Sequence, residues 1–324
     1  MTRDKLRSLA KDVLRLSPEP IPEHILKTEI LSERNSLSTR QRIYDTDFVK
    51  DLIRHQWEDG SWGRFYSQDT KRKDRFKTSQ IAIMKAKAWG LGKNDAVIKR
   101  AIRCMEEVLE GKTEIHDPKE KNPTWPVGVE TWTAATLAIV DPENTLLNRT
   151  WEKCFHLVNS AFKTGKFNMD GLLSGYVDLG INFVRKRYDG KLRYGYLLIA
   201  NVNAIRTLAT RASYISENLS EILVNWIWNK HDGIEYTSGS RLSDYSNHSK
   251  YGEIETRIRV IGDLLKFRIE RKLFSGFVSW IESRECGGLW DFGPRPSDAI
   301  EVGAMAAEVL VPCVASRICA REGA

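Results

Sequence analysis

The residues of this chain best suited to chemistry are carboxylates and aromatic rings placed where helices begin. Glu130, Glu253 and Glu301, with Asp74, Glu255 and Asp298, stand near the N-terminal ends of predicted apolar helices, beside Trp132, Tyr194, Tyr196, Tyr251 and Arg257. If those helices run parallel, their first turns converge on one mouth. Two carboxylates facing across it, Glu130 with Glu253 or Glu301, could then act as general acid and general base on a glycosidic bond. Each carboxylate also has a plain structural use, because the helix dipole favours negative charge at an N-terminus. Asp45-Thr46-Asp47 is a further carboxylate pair, placed just before a predicted helix, where capping or first-turn charge is the expected duty. Asp141-Pro142-Glu143-Asn144-Thr145 follows an apolar helix and reads as a loop with capping residues.

Metal chemistry is not expected. The six histidines (His24, His55, His116, His156, His231, His248) show no HxxxH spacing. The five cysteines (Cys104, Cys154, Cys286, Cys313, Cys319) show no CxxC spacing, so neither a metal site nor a cofactor is expected. An odd count of scattered cysteines reads as free thiols in a reducing cytoplasm.

The elements that would position these groups are helices. Val97, Ile98, Ala101, Ile102, Met105, Val108 and Leu109 form one apolar stripe, with Lys99, Arg100, Arg103, Glu106 and Glu107 opposite. Trp151 to Phe162, Leu219 to Ile227 and Leu273 to Ile281 repeat the pattern, as outer helices with one wet face. Ile81 to Leu91, Trp132 to Val140, Leu197 to Leu208 and Val302 to Val311 are apolar nearly all round and read as enclosed inner helices. No stretch alternates with period two, so no substantial sheet is expected.

Turn chemistry punctuates these helices. Asp59-Gly60, Asp170-Gly171, Asp232-Gly233 and Gly287-Gly288 follow apolar runs, with intervals of 111, 62 and 55 residues between Gly60, Gly171, Gly233 and Gly288. The first interval is two periods of about 55, with Asn122-Pro123-Thr124-Trp125-Pro126 at the missing turn. Inner helix, loop, outer helix and turn, repeated five or six times, close naturally into an all-α ring, an α/α toroid. Residues 1–40 would form a helical extension packed on it, with Pro18, Pro20 and Pro22 between Leu6–Leu16 and Ile25–Leu31. Residues 41–316 would form the toroid and 317–324 a tail.

Composition sets the outer bounds. Of 324 residues, 41% are apolar and 29% charged, the profile of a globular chain. Fifty basic and 43 acidic residues leave +7, mild for this length, and no nucleic-acid-binding signature accompanies it. The basic clusters Lys71–Lys73 and Arg185–Arg187 fall in predicted loops. No apolar run reaches the roughly 18 residues of a membrane span, so an integral span is not expected. The ten Trp and 22 Gly are the compositional surplus, and they sit at the repeat punctuation.

Leu52-Ile53-Arg54-His55-Gln56-Trp57-Glu58-Asp59-Gly60-Ser61-Trp62 resembles the QW motif of the squalene-cyclase and prenyltransferase repeat family, with the motif's Gln, Gly and Trp on Gln56, Gly60 and Trp62. Lys77 to Ala82 and Glu130 to Ala135 resemble the Thr-Ala-rich inner helices that follow it, and Arg284 to Trp290 is a degenerate second copy. The resemblance covers roughly residues 40 to 315 and implies the toroid, with Gln56 bonding a neighbouring helix end and Trp62 packed behind the turn. It further implies an isoprenoid or similarly apolar substrate in a central cavity, cyclised by a protonated carboxyl. The family's Asp-x-Asp-Asp acid is absent here, as are its zinc ligands and an aspartate-rich magnesium site. Asp45, Asp47 and Glu130 are the candidate acids that remain. Trp132, Tyr194, Tyr196 and Tyr251 would stabilise carbocations through their π faces, with Glu253, Arg257 and Glu301 lining the mouth. A carbohydrate-active barrel and a non-catalytic binding toroid are the alternatives.

Overall fold

The structure is a computed structural model, and it describes residues 3–33, 36–63, 76, 78–115, 125–181, 186–188, 191–193, 207–208, 210–229, 285–286 and 289–290. Helix α1 is Arg3–Arg15 and α2 is Pro20–Ile25, continued by a wider π turn over Leu26–Ile30. Next in the chain come α3 (Leu37–Tyr44), α4 (Asp47–Arg54), α5 (Ser79–Ala88), α6 (Ala96–Leu109), α7 (Trp125–Val140), α8 (Leu147–Ala161), α9 (Met169–Asp178) and α10 (Glu217–Asn229). Two short antiparallel ribbons accompany them: β1 (Lys186–Tyr188) with β2 (Lys191–Arg193), and β3 (Glu285–Cys286) with β4 (Leu289–Trp290). The described residues are thus mainly helical. No helix among them is long and apolar enough to cross a membrane.

Local chemistry sets the helix starts. Ser36, Thr46, Thr78 and Asn168 each accept a hydrogen bond from a backbone N–H in the first turn of the helix they precede. The proline-rich stretch divides α1 from α2 as expected, and Pro20 and Pro22 themselves open α2, where a missing N–H costs nothing. At the other end of α5, Gly90 takes φ 88° and Leu91 N–H bonds back to Ala86 O, so this helix stops short of the expected Leu91.

Both an enclosed helix and one-faced helices occur among the described residues. In α7, every residue from Thr131 to Val140 except Ile139 is buried. This helix packs against α5 on one side and against α6 and α8 on others. In α6, Val97, Ile98, Ala101, Ile102 and Met105 are buried while Lys99, Arg100 and Arg103 are exposed, the stripe expected of an outer helix. Helix α8 repeats it through Cys154, Val158 and Phe162, and α10 through Leu219, Leu223 and Trp226. Trp226 joins α10 to the end of α8 and the following link, edge-on to Phe162 at 5.4 Å and stacked on Phe167 at 5.5 Å. Helix α5 departs from expectation: Ile81 and Lys87 are exposed, so it is less enclosed than its apolar composition suggested.

One main core joins α2 through α8, from Ile21 and Ile25 through Leu52, Trp62, Ile83 and Met105 to Leu137 and Leu147. Helix α2 contributes Ile21 and Ile25 to this core. Cys104 and Cys154 are buried free thiols, each pushed up to about 12 chiefly by burial, which keeps them protonated and inert.

The repeat needs one correction. Asp170-Gly171 is not a turn; it lies inside the first turn of α9. A Cβ on Gly171 would collide with the Ser160 carbonyl oxygen of α8, and one on Gly175 would press on Leu157 and Ser160 at 3.1 Å. Glycine stands at 171 for close helix packing, whereas Gly60 is a true turn residue at φ 89°. The regular interval between them joins two different structural solutions. The Arg185–Arg187 cluster also differs in part, since Lys186 and Arg187 belong to β1. Asn122 to Thr124 lie outside the described residues.

Gly60→Ala combines a left-handed backbone with a collision against the Arg100 carbonyl of α6. It is expected to lose about 3 kcal/mol or more in urea unfolding. Gly92 has open space around it and no positive φ, so Gly92→Ala is expected to be neutral or stabilising by up to about 1 kcal/mol. Similar losses for both would contradict the assigned roles.

Candidate functional site

Three polar joints carry the chemistry-bearing residues that the structure describes. The first is the turn between α4 and α5. Asp59 Oδ1 accepts from both the backbone N–H and the hydroxyl of Ser61, at 2.8 and 2.7 Å, closing an Asx turn. Gly60 N–H bonds to Trp57 O and Trp57 N–H to Ser61 O. Gln56 Nε2 donates to Gly60 O and to Val97 O in the first turn of α6, both at 2.8 Å. Trp62 is fully buried: its ring N–H donates to Leu52 O at 2.7 Å, and its backbone N–H to Ser79 Oγ at 2.8 Å. Gln, Gly and Trp thus tie together α4, α5 and α6, and the Gln side chain reaches a neighbouring helix end as expected.

The second joint was missed at the level of sequence. Asp95, directly before α6, is buried and collects three donors: Gly92 N–H on Oδ2 at 2.7 Å, and Arg40 and Tyr44 of α3 on Oδ1. Burial alone would raise its carboxyl, but the Gly92 amide, the Tyr44 hydroxyl and the Arg40 guanidinium together hold it below its ordinary 3.8. Tyr44 is pushed up to about 12, first by burial and then by Asp95. The available signal was an Asp at an N-terminal helix position ahead of the Val97 stripe. Its partners on α3 lie more than 50 residues away in the chain and left no local mark.

The third joint holds Glu130. Its two oxygens accept from Lys153 Nζ of α8 at 2.9 and 2.7 Å, Thr150 Oγ1 lies at 3.3 Å, and Arg149 Nε stands 3.8 Å away. Glu130 therefore faces the α7–α8 seam as one half of a partly buried ion pair. Trp132, two residues on, points to the opposite side of α7 and packs in the main core. These two sequence candidates share a helix but no common surface.

Asp45 and Asp47 stand apart from both, exposed at the α3–α4 junction. Asp47 is the first-turn charge of α4, while the capping oxygen is that of Thr46 between them. Asp45 ends α3 and accepts from Gln41 at 3.3 Å. The Asp141 loop is braced as a loop with capping residues: Lys93 donates to Asp141, Asn144 caps Leu146 N–H, and Arg211 donates to the carbonyls of Pro142 and Asn144. Tyr194, Tyr196, Tyr251, Glu253, Arg257 and Glu301 lie outside the described residues, as do Asp74, Glu255 and Asp298. Among the described residues, no cluster of three potential ligands could hold a metal ion.

Compared with protein-family models, with curated proteins and with solved structures, the chain matches none.

The Asp95 joint has a pH signature. Because the folded carboxyl is held below 3.8, its stabilisation is present above that pH and is lost as pH falls through the depressed folded value. Tyr44, raised from 10 to about 12, adds an alkaline limb on which stability declines as pH rises above 10. Asp95→Asn is expected to cost about 1–3 kcal/mol at neutral pH and to flatten the acid limb of the stability profile. An unchanged acid limb would remove Asp95 as its source.

Proposed function

We propose that the chain is an α/α toroid that encloses an apolar ligand, isoprenoid-like in chemistry, between its inner helices. One observation carries this reading: the Gln56–Trp62 turn has the bonding that the resemblance implies, with Gln56 on the start of α6 and Trp62 buried behind Gly60. The uncharged run from Thr131 to Val140 on α7 supports an apolar interior as well. The ring, its central cavity and a divergent terpene-cyclase-like origin belong to this proposal.

Binding without catalysis is the form of the proposal that the candidate acids favour. An acid that protonates an alkene must be kept protonated and away from water. Glu130 instead accepts from the Lys153 ammonium through both oxygens, and Asp45 and Asp47 face solvent. Each carboxylate has a structural partner or a capping position that accounts for it.

Native mass spectrometry of the protein taken from the cells that make it is expected to show a non-covalent adduct of isoprenoid-lipid mass. A ligand-free mass alone would overturn the proposal. Incubation with a linear polyprenyl substrate separates its two forms. The binder returns the substrate unchanged, and Glu130→Gln lowers stability by about 1–3 kcal/mol through the lost ion pair. A cyclised product that disappears in a folded Glu130→Gln protein would establish the cyclase instead.

A further inference from the structure

Helix α1 is attached to the body differently from the helices of the main core. Ala10 packs with Leu26 and Leu31 in a small second cluster, with Val13 and Leu14 partly buried at its edge and Ile30 touching both it and the main core. Arg7 donates to Leu31 O at 3.2 Å, tying α1 to the body. Pro18 and Pro20 prevent the helix from running on into α2. Ile21 and Ile25, on the far side of that link, belong to the main core. Release of α1 would therefore leave the core of the body closed.

The helix itself is strongly two-sided. Leu6, Leu9, Ala10, Val13 and Leu14 recur at helical spacing, and Leu16, one residue past the end, extends the same arc with 75% of its surface exposed. By sequence position the remaining arc carries Lys5, Arg7, Lys11 and Arg15 against Asp4 and Asp12, four cations to two acids. Arg15 pairs with Asp12 on the exposed surface, a contact of little energetic weight. An apolar arc of leucines flanked by unbalanced cations fits the boundary between acyl chains and anionic headgroups, where a helix lies in the plane of the surface.

We infer that α1 is an exchangeable anchor, resting on Leu26–Leu31 in the free protein and docking by the same apolar arc onto an anionic lipid surface. This stands whether or not the ring of helices holds a ligand. The charge excess selects anionic over neutral lipid, and Leu16 supplies apolar surface that is exposed in the docked state.

The full chain should co-sediment with vesicles of phosphatidylcholine mixed with phosphatidylserine, and not with phosphatidylcholine alone. Binding should weaken as salt is raised. Lys11→Ala with Arg15→Ala should lower the partition coefficient roughly thirtyfold. Leu16→Asp should abolish binding with an unchanged unfolding midpoint, because that side chain makes little packing contact when α1 is docked. Equal binding to both vesicle types, binding that survives Leu16→Asp, or no binding at all would overturn the inference. The last outcome would leave the basic arc to an acidic protein partner.

Discussion

The turn between α4 and α5, exposed at Trp57–Asp59 and buried from Gly60 to Gly63, has to satisfy its own backbone, and it does so by leaning on α6. An irregular segment carries amide and carbonyl groups that no helix ladder can pair, and each one left unpaired in the interior costs about 1–3 kcal/mol. Asp59 answers for Ser61, Trp57 and Ser61 answer for each other, and Gln56 answers for Gly60 while reaching Val97 of α6. Glycine is required at 60 because the α6 backbone occupies the space of a side chain. Once the turn is seated, α4, α5 and α6 are fixed relative to one another. The apolar face of α6 then has one direction to point, toward α5 and α7.

The polar groups inside this assembly obey the same logic. Asp95 binds α3 to the loop before α6, Glu130 binds α7 to α8, and Arg211 braces the loop before α8 through the carbonyls of Pro142 and Asn144. Each sits at a joint where backbone or charge would otherwise be stranded. Such partly buried pairs add little net stability over an apolar contact, but losing one partner is costly, so they enforce a particular packing. Residues that look chemical by type are here cross-links, and α7 beyond Glu130 is uncharged from Thr131 to Val140.

The helix faces were legible because amphipathic periodicity is local: the stripes of α6, α8 and α10 can be read within three turns of sequence. The Gln56–Trp62 turn was legible for a related reason, since its bonding lies mostly within a short stretch of chain. Asp170-Gly171 misled because the same dipeptide serves two purposes, a left-handed turn at Gly60 and a close helix approach at Gly171. Only the neighbouring helix distinguishes them. Asp95 with Arg40, and Glu130 with Lys153, were hidden because they join positions 55 and 23 residues apart. Their pairing depends on helix register, which the periodicity leaves open. The direction of a helix face can be read in the sequence, but the identity of the residue across from it cannot.

That seating of the turn on α6 organises the surrounding helices can be tested through the Trp62 amide, which donates to the buried Ser79 hydroxyl rather than to any group on Gln56. Native-state hydrogen exchange in Gln56→Ala is the direct measurement. If the Gln56 bridge holds the three helices together, protection at Trp62 and in the first turn of α6 falls by a common factor, on the order of 10-fold for about 1.4 kcal/mol of lost bridging. If protection at Trp62 is unchanged while α6 alone loosens, the turn is held by its own bonds and the constraint lies elsewhere.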